Sequence, residues 1–542
     1  MTLLSNAQHV IVNAAYPSTL IWSDCGQEKC ASLEFCKEGS NYGYRNPGDI
    51  TPCGSTPGPL IRMSPGTRYK LTLRNSVEDS TIKTNIHTHG LHIAGSEDGD
   101  DITRFVSGGD CIDYTWDIPW DHPGGTNWYH PHYHALTVDQ TQLGAAFGML
   151  IIDDDYSQLN SWAHPHNELL LLVSDMGTTS VLGNANRNET FQVQVGKWNR
   201  LRVSTVEPFA RTAALSFHGG SCTVYKVASD GIWHNAPLTT YSGSSFDMTG
   251  ASRADYAINC DSAGATTIHW GRGDVATIVA GIFDSNTDLH ELLDLGDAPR
   301  KPASLIGLES ATPDGTLAIG MSGAQSWDED VPLETIRYGE IYEWTISGTD
   351  THPYHQYLYR MLIVEPGGCG PHEEGEFYDT ISSSVSCRVR FYAIDVGQRM
   401  VLHSYGLGEE EGRGGATAWI DVAGTPYVNK NNVHSSAHQC SGSRETLKIA
   451  FIHADHTANG VMQNALDQSH VHHAIAMILN PNGTNNNAGR AITATGVQEE
   501  NALNWRHVIK PAMEGAKINA IYVLTASGRT ESAFPKHYVH HA

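Results

Sequence analysis

The sequence predicts an all-β protein built from Greek-key sandwich domains, on three observations. Short apolar and β-branched segments recur along the chain: TRYKLTLRN (67–75), FGMLIIDD (147–154), LLLLVSD (169–175) and IYEWTIS (341–347). Clusters of Gly, Pro, Asn and Asp separate them, and long helical periodicity is scarce. The 542 residues exceed the roughly 250–300 that one hydrophobic core accommodates, so several domains are expected.

Boundaries are expected near 160 and 295, giving domains 1–160, 161–295 and 296–424. The run ATAWIDV (416–422) reads as the last strand of the third block. Residues 425–542 then form an appended structured segment, with strand-like runs in IAFIHADH (449–456), HVHHAIAMIL (470–479) and NAIYVLTA (519–526).

Composition narrows the function. The 59 acidic and 34 basic residues give a formal charge of −25, which repels nucleic acid and anionic membranes. No segment reaches the roughly 20 apolar residues of a membrane helix. Ten cysteines, four of them at 25, 30, 36 and 53 without zinc-type spacing, point to disulfides and an oxidising compartment. The sequons at Asn188 and Asn482 agree with export. Residues 1–15 lack a basic start and apolar run, so the expectation is a removed leader or no export.

The 29 histidines are the sharper signal, because imidazole is the commonest metal ligand. Most are expected on the surface. Two His-x-His pairs differ: His87 and His89 in TNIHTHGLHIAG, and His130 and His132 in GGTNWYHPHYHAL. Strand alternation throws residues i and i+2 to one face, so each pair can present two imidazoles to one cavity. Such a site suits copper, zinc, iron or nickel, and lacks the thiolates or carboxylates of a structural zinc or calcium site. His352, His355 and Tyr357 follow in THPYHQY, and His403 in VLHSY.

In order and approximate separation these segments resemble the copper motifs of the multicopper oxidases, the laccase and copper-efflux oxidase family. GPLIRMSPGTRYKLTLRN (58–75), VASDG (227–231), GASRADYAI (250–258) and YDTI (378–381) extend the resemblance. It implies three cupredoxin-like β-sandwiches with a trinuclear copper cluster between the first and third. Carried over motif by motif, it implies a type 2 copper on His87 and His355, one type 3 copper on His89 and His130, and the other on His132 and His403.

Two family ligands depart. Tyr357 and Tyr405 stand where the family has histidines, one on each type 3 copper; a phenolate ligates Cu(II) if the metal's charge lowers its pKa from about 10, and otherwise the rings only fill space. Ser404 stands at the type 1 cysteine and Glu409 at its second histidine, leaving His352 alone. A hydroxyl cannot replace the soft thiolate of a blue site. Two or three coppers and no type 1 copper are therefore expected.

His453 and His470 offer a rival placement of the final motif, also without cysteine; the order YDTI, VRF (389–391), DVG (395–397), VLHSY favours His403. His92 and His134 are expected to space or support the ligands. Asp100, in SEDGDD, matches the family's cluster-adjacent acid and would supply protons, or is one more solvated loop carboxylate. Tyr357 and Tyr405 would serve as one-electron relays. The expected activity is a copper-dependent oxidoreductase using dioxygen and a reducing small molecule; the alternative is a copper-binding or scaffold protein without turnover.

Overall fold

The computed structural model describes residues 16–424 apart from 56, 96–97, 134–135, 144, 176–180, 185–188, 208–211, 283–294, 322–330, 351–352, 395–397 and 405–416. Beyond 424 it describes four short strands: Ala450–Ile452 parallel to Ile475–Met477, and Tyr522–Leu524 antiparallel to Thr530–Ser532. Each lies within one of the three runs expected in the tail or just after the last of them. The chain divides into two compact units, Met1–Ala423 and Gly424–Ala542. His134, His352, Tyr405, Glu409, His453 and His470 lie outside the described residues.

Unit one is all-β, three cupredoxin-like sandwiches in succession. Its strands form where alternation is cleanest. In Arg68–Asn75, Tyr69, Leu71 and Leu73 point inward while Arg68, Lys70 and Thr72 face out; Ile341–Ser347 repeats this with Tyr342, Trp344 and Ile346. Outward charges pair across strands, as Arg68 with Asp117 and Arg390 with Glu343 (2.6 Å), both directly opposed in register. Such pairs contribute roughly 0.2–1 kcal/mol each; the cores around Trp116, Trp270 and Trp344 dominate.

One sheet of the first sandwich runs in the order Gly58–Met63, Gly148–Ile152, Gly125–His130, His87–His89, which leaves the last strand at an edge. In the third, Tyr354–Gln356 lies between Gln398–Ser404 and Thr380–Ile381. The second sandwich carries unusually charged strands. Every residue of Asn199–Val206 and Arg253–Cys260 is buried, including Arg200, Arg202 and Arg253.

Arg200 donates to Asp154 (2.6 Å) and Asp255 (2.5 Å), and Arg202 to Glu168 (2.6 Å) and Asp154 (3.1 Å). Asp154 also accepts the Trp233 indole N–H at 2.7 Å. Burial pushes the Asp154 and Glu168 carboxyls up, but the guanidiniums more than offset it and hold both below the usual range. Four disulfides are described: Cys25–Cys30, Cys36–Cys53, Cys222–Cys260 and Cys369–Cys387. Cys111 is also a half-cystine, and no described cysteine is a free thiol. Among the described residues no helix is long and apolar enough to cross a membrane.

Candidate metal centre

Strand pairing brings the histidines together from four segments. His87–His89 pairs antiparallel with Gly125–His130, setting His130 opposite His87 and Trp128 opposite His89. In the third sandwich His355 stands directly opposite both His403 and Thr380. His132 follows His130 just beyond the strand end.

All six imidazoles are buried. The His87 ring lies 5.6 Å from His89, 5.2 Å from His130, 5.4 Å from His132 and 6.0 Å from His355. His89 stacks on His355 at 3.8 Å, across the two sandwiches. His132 Nε2 and His403 Nε2 are 3.3 Å apart. One ligand nitrogen from each of His87, His89 and His355 falls within a common 4.8 Å.

Hydrogen bonds fix which nitrogen five of the six rings turn inward. His87 donates Nδ1–H to Asp100 (2.8 Å), His130 to the Pro131 carbonyl (2.9 Å), His355 to the Asp379 carbonyl (2.9 Å) and His403 to the Ser404 carbonyl (3.0 Å). Each of these four is left with Nε2 for another partner. Thr380 donates its hydroxyl to Asp379 (3.0 Å), so its oxygen accepts from His89 Nε2 (3.3 Å) and leaves Nδ1 on the other side of that ring. Anchoring the far nitrogen is how proteins orient metal-binding imidazoles. Burial holds His89, His130 and His355 well below the usual histidine range, hence in the neutral form a metal requires.

Tyr357 joins this group. Its ring stacks on His87 at 4.1 Å and 10°, and lies 5.0 Å from His355, 5.9 Å from His132 and 5.5 Å from His403. Asp100 is buried, not solvated: besides His87 it accepts the Thr88 N–H at 3.1 Å. Ser404 is buried at the end of its strand, opposite Tyr354. His92 stands apart, donating Nδ1–H to the Leu358 carbonyl at 2.8 Å.

The surroundings contain residues the motif reading did not assign. Trp128 stacks on His130 (4.3 Å) and His89 (5.1 Å) and donates to the Ala251 carbonyl of the second sandwich. Asp379, from YDTI, lies 3.6 Å from His89 Nε2 and 3.8 Å from His355 Nδ1. Burial pushes its carboxyl up, yet Arg253 and Arg360 hold it well below the carboxylate range. For Asp379 the available signal was the acidic residue within YDTI.

Residues 47–157 match the multicopper oxidase family. That match falls within the first sandwich. Laccase-2 of Thanatephorus cucumeris is 28% identical over 217 residues, 33% of this chain and 35% of that protein. The multicopper oxidase mco of Staphylococcus aureus is 28% identical over 122 residues, 22% of this chain and 26% of that one. The matched stretches thus span well under two thirds of these relatives.

Over the three sandwiches the fold is that of a laccase from Pediococcus acidilactici (TM-score 0.60, 20% identity, 75% of this chain and 92% of that one). A multicopper oxidase of Campylobacter jejuni, described as a metallo-oxidase, superimposes comparably (TM-score 0.59, 19% identity, 75% and 94%). The matched stretch contains His87, His89, His130 and His132; His355 and His403 come from the third sandwich.

Proposed function

We propose that the chain is a copper-dependent oxidoreductase that couples dioxygen to oxidation of a small reducing molecule, at a cluster of type 2 and type 3 character and without a type 1 blue copper. The observation that carries this reading is the convergence of six buried imidazoles from four segments of two sandwiches. The donor set fits copper: six buried imidazoles, five of them with the far nitrogen anchored, and no carboxylate-rich shell of the kind calcium or magnesium takes.

In this reading His87 and His355 hold the type 2 position, His89 and His130 one type 3 position, and His132 and His403 the other. Tyr357 and Tyr405 complete the type 3 sites. Two or three coppers, when bound, supply the redox capacity to reduce dioxygen. The protein excludes bulk water, fixes the imidazoles, and places Asp100 against His87 as the acid that delivers protons. Tyr357, stacked on His87, or Tyr405 serves as a one-electron relay.

The absence of a type 1 site is supported by Ser404 at the cysteine position and by the pairing of every described cysteine. The described disulfides support a secreted protein. Ser404 also motivates the second reading, a copper-binding protein without turnover, because the family's electron entry needs a thiolate.

Oxygen uptake separates the two. Copper-loaded protein with a phenolic or metal-ion reductant should consume oxygen, and replacement of His130 and His132 by Ala should abolish both copper binding and uptake. Copper binding without uptake selects the second reading. Copper and uptake unchanged in the double variant would show that the cluster assignment is wrong.

A further inference from the structure

We propose that Arg253, a residue of the second sandwich that supplies no imidazole, is a positioning residue that sets the geometry of His89 and His355 by holding Asp379. The inference rests on the copper reading above. Arg253 donates to both carboxylate oxygens of Asp379, at 2.7 and 2.6 Å, and both side chains are fully buried. Arg360 meets the same carboxylate at 2.8 Å. Asp230 accepts the Arg253 N–H at 2.9 Å and, through its other oxygen, the N–H groups of Asp379 (3.0 Å) and Thr380 (3.2 Å).

The segment so clamped makes the contacts that orient two imidazoles from different sandwiches. The Asp379 carbonyl accepts from His355, the Thr380 hydroxyl accepts from His89, and the Asp379 carboxylate faces both rings. A bidentate guanidinium fixes a carboxylate in plane as well as in position, which an ammonium cannot. Loss of the fork leaves the Asp379 carboxylate with the Arg360 guanidinium, so Asp379 can shift and the directions set for the His89 and His355 nitrogens loosen. The same turn of the second sandwich also receives the Trp128 indole at the Ala251 carbonyl, behind His89 and His130.

The test uses the full chain loaded with copper. Affinity is measured by competition with a chelator of known strength, the Cu(II) environment by electron paramagnetic resonance, and folding by circular dichroism and Tm. Outer ligand-orienting partners typically account for about 10–100-fold in metal affinity, so R253M should bind copper that much more weakly, with altered hyperfine splitting. R253K should recover part of the loss, and R253M should add little in a D379N background.

The control is R200M, which breaks another buried guanidinium–carboxylate pair of the same sandwich with no contact to a cluster histidine. It should lose Tm while keeping copper affinity within a few-fold. If R253M does not fold, R253K carries the comparison. Wild-type affinity and spectrum in the Arg253 variants, or an equal loss in R200M, overturns the inference alone. A wild-type chain that binds no copper overturns the copper reading and this inference with it.

Discussion

His132 of the first sandwich and His403 of the third meet Nε2 to Nε2 at 3.3 Å, across 271 residues of sequence. Two bonds of about 2.0 Å from imidazole nitrogens to one first-row metal ion, at a tetrahedral angle, separate the nitrogens by about 3.3 Å. A hydrogen shared between the two nitrogens holds the same distance, with His403 as acceptor because its Nδ1–H is committed to the Ser404 carbonyl. The pair therefore needs little rearrangement between its two uses.

Copper should consequently stabilise the fold by mass action. At free copper about 100-fold above its dissociation constant, the gain is about 2.7 kcal/mol per site. Thermal scans with and without copper should show a higher Tm for the loaded wild type. In H132A and H403A that rise should shrink or vanish; a rise as large as in wild type would remove the pair from the site.

Gly90, the residue after the first histidine pair, has φ +108° and no room for a side chain: a Cβ there collides with the Arg253 guanidinium and the Asn127 amide. Gly109 has φ +89° and open space around it. G109A should cost about 1–2 kcal/mol for the backbone alone, and G90A about 1–3 kcal/mol more for the crowding. G90A should also lower copper content, since it displaces the guanidinium that holds Asp379. Denaturant titration and metal analysis of the two variants check both points.

Acid stability should follow the buried ion network between the first two sandwiches. Asp154 and Glu168 are held below their ordinary values, so the folded state keeps them ionised at pH values where the unfolded chain takes up protons. Their stabilisation is complete above about pH 4–4.5, and declines as pH falls through and below that range toward the depressed folded values. In R202M, which takes the main partner from Glu168 and leaves Asp154 with the Arg200 guanidinium, stability at neutral pH should fall by about 3–5 kcal/mol. Its Tm should vary less between pH 5 and pH 3 than that of the wild type.

Tyr357 can be tested against its two possible uses. If its phenolate ligates Cu(II), Y357F loses a ligand-to-metal charge-transfer band and weakens copper binding, while Y357H keeps copper and loses the band. If the ring only stacks on His87, Y357F leaves both spectrum and affinity as in wild type.

Much of this architecture was legible in the sequence because strand alternation is a local property. TRYKLTLRN and IYEWTIS declare their inward faces without reference to the rest of the chain, and the His-x-His spacing declares a shared face for His87 and His89. What escaped was pairwise and distant. Nothing local says that Arg253 reaches Asp379, 126 residues away, or that Asp100 is buried against His87 rather than solvated. The buried arginines had one visible trace: Arg200, Arg202 and Arg253 interrupt strands that are otherwise fit for burial, and buried cations require partners.

The most direct test of the central claim is anomalous scattering at the copper edge from crystals of copper-loaded protein. The account predicts two or three copper peaks within the ring formed by His87, His89, His130, His132, His355 and His403, and none at Ser404. Peaks elsewhere with that ring empty, or a copper beside Ser404 in a blue protein, would contradict it.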